Sequence, residues 1–172
     1  MAQLDETEFR TIIDDVRTRH AAVVALIYMT DRQAMGLLRL YVTLGMATAT
    51  GAAAGFGTIS TGQAFVSRPV AWALAAATIV LLAGSGFCLR TLRGSDINLP
   101  GRTADFWNWG ARPDIGRSEV LTAYLDNLAV KAKQNNDLNT ATAAALSHAK
   151  NCGAVAPLAA LVIGAAAATW SL

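Results

Sequence analysis

Three stretches of this chain carry no charged residue: Leu40–Ser67, Pro69–Leu89 and Asn151–Leu172. A helix that crosses a bilayer needs about 20 predominantly apolar residues. The second and third runs meet that length directly. The first meets it after its polar tail "GTISTGQ", read as a loop, is set aside. The pattern predicts spans over about Met35–Gly57, Pro69–Leu89 and Gly153–Ser171. The competing reading is an alanine-rich soluble bundle, since many of these positions are Ala or Gly. Three such runs are hard to bury within 172 residues, so the membrane reading is preferred.

The polar flanks also have helical periodicity. Phe9, Ile13, Val16, His20, Val23 and Ile27 recur by fours and threes, a narrow seam of the kind that packs against another helix. Asp5 followed by Glu8 resembles a capping box. No Pro occurs before Ser67, so this helix is expected to run on into the first span. His20, in the seam among apolar neighbours, reads as a packed polar residue. A second helix is expected from Ser118, a good N-cap, with Val120, Leu121, Tyr124, Leu125 and Leu128 as its apolar face. That face thins at "KQNNDLNTAT", which has no Gly or Pro, so the helix is expected to continue into the third span. Pro157, which follows Gly153 by about one turn, predicts a modest kink. The expected class is an all-α membrane protein of three transmembrane helices, with long cytoplasmic helical extensions forming a stalk. The segments are a cytoplasmic amphipathic helix (1–34), a two-span hairpin (35–89), a cytoplasmic loop and helix (90–150) and a third span (151–172). Val16 and His20 are expected to pack on the face that includes Leu125.

Charge sets the orientation. Of the Lys and Arg residues, five precede Leu40, one (Arg68) follows the first span, and eight lie in 90–150. The excess of cations marks the cytoplasmic side, which predicts a cytoplasmic N-terminus and an external C-terminus. Trp72 and Trp170 then fall near the outer interface, a depth that suits indole rings. The charged segment before Met35 lacks an early apolar core, so no cleaved signal peptide is expected. Cys88 and Cys152 have no metal-ligand spacing and read as small packing residues.

The candidate chemistry is sparse. There are two histidines and no P-loop, H-E-x-x-H or G-x-S-x-G pattern, so neither an enzyme nor a metal or cofactor site is expected. A net charge of +2 disfavours a nucleic-acid partner. Gly51 and Gly55 form G-x-x-x-G, a small face for close helix packing, within the molecule before between copies. Asp31, Arg32 and Arg39 cluster at the start of the first span. They read as interfacial anchors first and ligand contacts second. "LPGRTADFWNWGARPD" packs Phe106, Trp107 and Trp109 into four positions of an otherwise aromatic-poor chain. As a loop just beyond the second span, it reads as an interfacial belt and brace, or as a contact surface for a ligand or partner subunit. On an extended loop, Trp107 and Trp109 would point to opposite sides.

The order of these features resembles a known family. "TDRQAMGLLRL" enters a two-span hairpin, the chain returns through "INLPGRTADFWNWG", and "SEVLTAYLDNL" opens a helix. "NNDLNTATAAALSHAK" then leads to the last span. This is similar to the small bacterial membrane effectors associated with Pycsar antiphage defence, and more loosely to CBASS and SLATT membrane effectors. The positions that carry the likeness are Pro100, the aromatic-Gly turn Trp107–Gly110, Glu119 with Tyr124, and Lys150. The resemblance implies an inner-membrane protein that oligomerises on a nucleotide signal and perturbs membrane integrity, with the bilayer and a cyclic nucleotide as partners. Some such effectors carry a fused cyclic-nucleotide-binding domain. The segment between the second and third spans is too short to hold one, so a messenger would bind the helices themselves or a separate sensor. The alternative function is a structural or scaffold membrane subunit that binds a partner through its cytoplasmic helices.

Overall fold

The computed structural model describes residues 6–61, 66–92, 97–99 and 101–170. The capping box begun by Asp5, the likeness position Pro100, part of the loop after the first span and the end of the third span at Ser171 lie outside the described residues. Among the described residues the chain is all-helical. The helices are α1 (Glu6–Thr61), α2 (Arg68–Leu92), α3 (Ala104–Gly110) and α4 (Arg117–Thr169). Three of them, α1, α2 and α4, are long and apolar enough to cross a membrane.

Local chemistry explains the boundaries. α1 meets no proline and continues to Thr61, so the expected break at "GTIS" is corrected: that stretch is helical. In α2, Pro69 occupies the first turn, where its missing N–H forfeits no helical bond, and the Ala71 amide donates to the Ser67 carbonyl at 3.0 Å. α4 opens after Gly116 with Glu119 in its first turn, where a carboxylate favours the positive helix end. It runs without interruption through "KQNNDLNTAT" and through Pro157. The tryptophan segment is corrected from a loop to a helix: α3 holds Phe106, Trp107 and Trp109 within its short length. Thr103, extended at φ −68° and ψ 160°, starts it, and its carbonyl accepts from the Phe106 amide at 3.2 Å. Just upstream, Gly101 reverses the chain at φ +121°, a conformation only glycine adopts without strain.

The chain divides into two compact units. One draws on the described residues of Met1–Met29 and Gly94–Ala141, the other on those of Thr30–Arg93 and Thr142–Leu172. In the second unit α2 is antiparallel to α1. Gly45 faces Leu81, Thr48 meets Thr78, Gly51 faces Leu74, and Gly55 faces Ala71. Gly51 and Gly55 thus pack within the molecule, where an added Cβ would lie 2.8 Å from Leu74 and 2.7 Å from Ala71. The Thr78 hydroxyl donates to Thr48 Oγ1 at 2.8 Å, and Thr48 donates in turn to the Leu44 carbonyl at 2.9 Å. Phe56 meets Trp72 edge-on, with ring centroids 5.1 Å apart.

Tyr41 centres this unit, in a cluster with Leu81, Cys88, Ala149 and Ala156. Its hydroxyl donates to the Ala149 carbonyl at 2.8 Å. Its ring lies against Gly84 of α2, and its hydroxyl end lies against Gly153 of α4. Two helices therefore present glycine where the aromatic passes between them. A Cβ at Gly84 would fall 2.9 Å from the Tyr41 ring and 3.0 Å from the Cys152 Cβ, whereas one at Gly86 meets nothing within 4 Å. Both cysteines are free thiols.

Gly84→Ala and Gly86→Ala therefore separate packing from helix propensity. Alanine favours a helix interior by about 1 kcal/mol over glycine. Thermal melts of the detergent-solubilised protein should show Gly86→Ala unchanged or stabilised and Gly84→Ala destabilised. Equal shifts in both would refute the Tyr41 slot.

Candidate functional site

The first unit is organised around the backbone that precedes α3, held by side chains from both long helices. Asn135 of α4 is fully buried. Its Oδ1 accepts from the Asn98 amide at 3.0 Å, and its Nδ2 donates to the Asn98 carbonyl at 2.8 Å. The carboxamide thus pairs with one residue's N–H and C=O as a neighbouring strand would, and this fixes which end of the amide is oxygen. His20 of α1, 1% exposed, places Nε2 2.7 Å from the same Asn98 carbonyl. A carbonyl only accepts, so Nε2 carries the proton. The 3.2 Å approach of Asn135 Nδ2 to His20 Nε2 then joins two donors aimed at one oxygen. His20 Nδ1 is buried with no hydrogen-bond partner. The Asn98 side chain donates to Gln134 Oε1 at 3.0 Å, at the surface.

Beside this lock lies a group of cations and aromatic rings. The Arg102 guanidinium stands 4.2 Å from the Phe106 ring centroid. It donates through Nη2 to the Ala123 carbonyl at 2.8 Å and leaves Nε buried and unpaired. Arg17 lies 5.2 Å from the Tyr124 centroid, and its Nε donates to the Tyr124 hydroxyl at 2.7 Å. Lys131 Nζ reaches the Leu99 and Gly101 carbonyls at 3.4 and 3.2 Å. Phe106 is the aromatic hub, with centroids 5.3 Å from Trp107, 5.5 Å from Trp109 and 6.3 Å from Tyr124. At Gly110 α3 closes on α4, and a Cβ there would lie 3.1 Å from Val120.

Of the residues singled out in the sequence, Phe106, Trp107 and Trp109 come together. Phe106 is the covered ring at their centre, Trp107 is half-exposed and touches Tyr124, and Trp109 is more covered than Trp107. On a helix, two residues apart still differ by about 200°, so the two indoles face different surroundings for a reason other than extended geometry. His20 joins the lock. Val16 and Leu125 are half-buried in the same unit. Asp31, Arg32 and Arg39 belong to the other unit; the two arginines are exposed and Asp31 is half-buried. Burial pushes the Asp31 carboxyl above the ordinary carboxylate range.

Asn98, Asn135, Arg17 and Arg102 were not singled out by sequence. The available signal was phase. Asn135 continues the steps of three and four that run through Leu121, Tyr124, Leu128 and Lys131, so it occupies a seam position. Among the described residues, no group of three His, Cys, Asp or Glu side chains could hold a metal ion. No family model matches the chain, and no curated protein or solved structure matches it.

Asn135→Leu keeps the size and removes both partners of the Asn98 backbone. It should cost about 2 kcal/mol or more, while Gln134→Ala, which removes an exposed bond, should stay within about 0.5 kcal/mol. Circular-dichroism melts of the two variants decide this, and similar melting points would sink the lock. For Asp31, the folded pKa exceeds the unfolded one, so folding stability falls as pH rises through the raised value. Asp31→Asn should melt higher than wild type at neutral pH, and the gap should close at about pH 3, where both states of the wild type are protonated.

Proposed function

We propose that the chain is an oligomerising, non-enzymatic inner-membrane protein, gated by an anionic ligand that carries an aromatic ring, as in the nucleotide-signalled defence effectors it resembles. The membrane part of this reading is supported by the outward apolar side chains of the second unit. Ile79, Leu82, Leu161 and Val162 are each at least 60% exposed, and only 6% of the apolar stretch of α4 is buried. Water tolerates single exposed apolar residues but rarely a continuous apolar surface of this kind, whereas lipid satisfies it. The charge distribution supports a cytoplasmic N-terminus and an external C-terminus.

The observation that carries the ligand reading is the cation–aromatic cluster of the first unit. Arg102 and Lys131 donate to backbone carbonyls, which are neutral acceptors. A phosphate oxygen is an ionised acceptor and forms hydrogen bonds about twice as strong. A nucleotide that stacked its base beside Phe106 or Trp107 and offered its phosphate to these cations would compete with the bonds that hold the backbone at Leu99 and Gly101. It would favour whichever assembly left the cations free to bind it, and an effector shifts an equilibrium only through such differential affinity. The mechanism is a population shift between a closed, silent form and a membrane-perturbing oligomer.

The test is a liposome dye-release assay with the reconstituted protein and a panel of cyclic mono- and dinucleotides. At least one nucleotide should raise release, and Arg102→Gln or Trp107→Leu should abolish that response at unchanged protein-to-lipid ratio. No release with any nucleotide, together with retention of cytoplasmic partner proteins by the tagged chain, would replace this reading with that of a scaffold subunit. A C-terminal reporter active only in the cytoplasm should be silent, and activity there would overturn the three-span topology.

A further inference from the structure

The second unit contains a groove of about 450 Å³, within the range of about 300–1,000 Å³ that holds small ligands. Leu40 and Leu44 of α1 form one wall, Pro157 of α4 the other, and Tyr41 and Leu81 the floor, with Lys150 among the lining residues. The groove exists because the seam is built from small residues here. α4 offers Gly153 and Ala156, and α2 offers Ala77, so the helices approach closely at Tyr41 and leave an open furrow beside it.

A furrow lined mostly by apolar side chains, with Lys150 its one charged group, has a specific complement. Lys150 is the last charge on α4 before the uncharged run that ends the chain. It is exposed and donates to Gln33 Oε1 at 3.1 Å. An ammonium group has three donors, so that one bond leaves capacity for an anion.

From these features we infer that the groove binds one anionic phospholipid, with an acyl chain between α1 and α4 and the phosphate on Lys150. The inference rests on the membrane reading above and is independent of the ligand proposed for the first unit. Charge complementarity selects this occupant over a second copy of the chain. The uncharged stretches Leu40–Ser67, Pro69–Leu89 and Asn151–Leu172 contain no carboxylate side chain, and Asp31, the acid two residues from the Gln33 that Lys150 bonds, is half-buried in its own unit, so a neighbouring copy offers Lys150 little counter-charge. Packing an apolar helix over that ammonium would desolvate a charge without pairing it, which is costly. A phosphodiester at the interface pairs it, as basic pockets between membrane helices pair lipid headgroups.

The experiment begins with a carbonate wash of membranes that contain the chain. The detergent-purified protein is then analysed by native mass spectrometry with equal amounts of dioleoyl phosphatidylglycerol and dioleoyl phosphatidylcholine. The expected result is a membrane-retained chain that keeps one phosphatidylglycerol about fivefold more often than phosphatidylcholine, the factor one near-surface cation supplies. Lys150→Ala should remove the preference, Lys150→Arg should keep it, and Leu44→Trp should lower retention of both lipids by filling the furrow. Equal retention of the two lipids by wild type, or an intact preference in Lys150→Ala, overturns the site and leaves the membrane reading standing. A lipid-free dimer that Leu44→Trp breaks apart overturns it in favour of a second copy. Release of the chain by carbonate overturns both the site and the membrane reading.

Discussion

The constraint on which the rest depends is that α1 and α4 run parallel within each unit. In the first unit the partners run in the same direction along both helices, with long side chains bridging unequal steps: Arg17 meets Tyr124, and His20 approaches Asn135. In the second unit α2 is antiparallel to each of them. Gly45 faces Leu81 and Gly55 faces Ala71 on one side, while Cys152 lies at Gly84 and Gly164 lies at Ala73 on the other. On α4 the covered positions Leu121, Tyr124, Leu128, Lys131, Asn135, Leu138, Thr142, Ala145, Ala149, Cys152 and Ala156 recur by threes and fours without a break. That spacing is the heptad period of helices that share a seam. α1 follows the same rule from Ile13 to Gly55 with one irregular step, from Tyr41 to Gly45, where a step of four stands in place of three. The extra residue falls at Tyr41, the side chain that crosses between two other helices. A local unwinding of the seam is the expected response to such an insertion.

A constant period leaves composition free to vary, and the two units use that freedom differently. In the first unit the seam carries His20 and Asn135, whose polar atoms must be satisfied once water is excluded. Both turn to backbone for this, which is why the segment around Asn98 is held in place. In the second unit the seam carries many Ala and Gly residues, the helices approach closely, and the threonine and serine hydroxyls bond to their own helices or, as with Thr48 and Thr78, to each other, while Tyr41 reaches the Ala149 carbonyl across the seam. Small residues suit an apolar solvent, where dispersion and close backbone contact replace hydrophobic burial. One seam period thus serves both a polar lock and a lipid-compatible bundle.

This difference also decides what was legible in the sequence. The three long apolar helices followed from uncharged runs, because a span-length stretch without Asp, Glu, Lys or Arg is rare outside membrane helices. The continuity of α4 followed from the lack of Gly and Pro in "KQNNDLNTAT". The lock did not follow. Asn135 sits where an apolar residue is expected, so the stretch reads as a face that thins, whereas the seam persists in polar form. Its partner is a backbone N–H and C=O far away in sequence, and no side-chain pattern announces a backbone. The short helix α3 was missed because flanking Gly and Pro in "LPG" and "RPDIG" signal turns, and an element of two turns is too short for a helical period to emerge. Its aromatics were visible; the arginine against Phe106 was not, since Arg102 belongs to the preceding turn.

α1 and α4 each contribute to both units, and within each unit what the seam carries decides how firmly their packing is held. A helix that keeps its hydrogen bonds resists compression far more than it resists sliding by a turn along a seam, and packed interfaces move between discrete arrangements. The seam of the second unit is smooth, with Ala and Gly at most steps, and so offers little resistance to a different register. Each unit has its own hold: the Asn135–Asn98 pairing in the first, and the Tyr41 ring between Gly84 and Gly153 in the second. In the proposed reading, a ligand that draws Arg102 and Lys131 away from their backbone carbonyls weakens the first of these holds. The hold in the second unit is of another kind: Tyr41 is an aromatic wedge that passes between two helices only because each presents glycine there, so its strength depends on close backbone approach and not on paired polar groups.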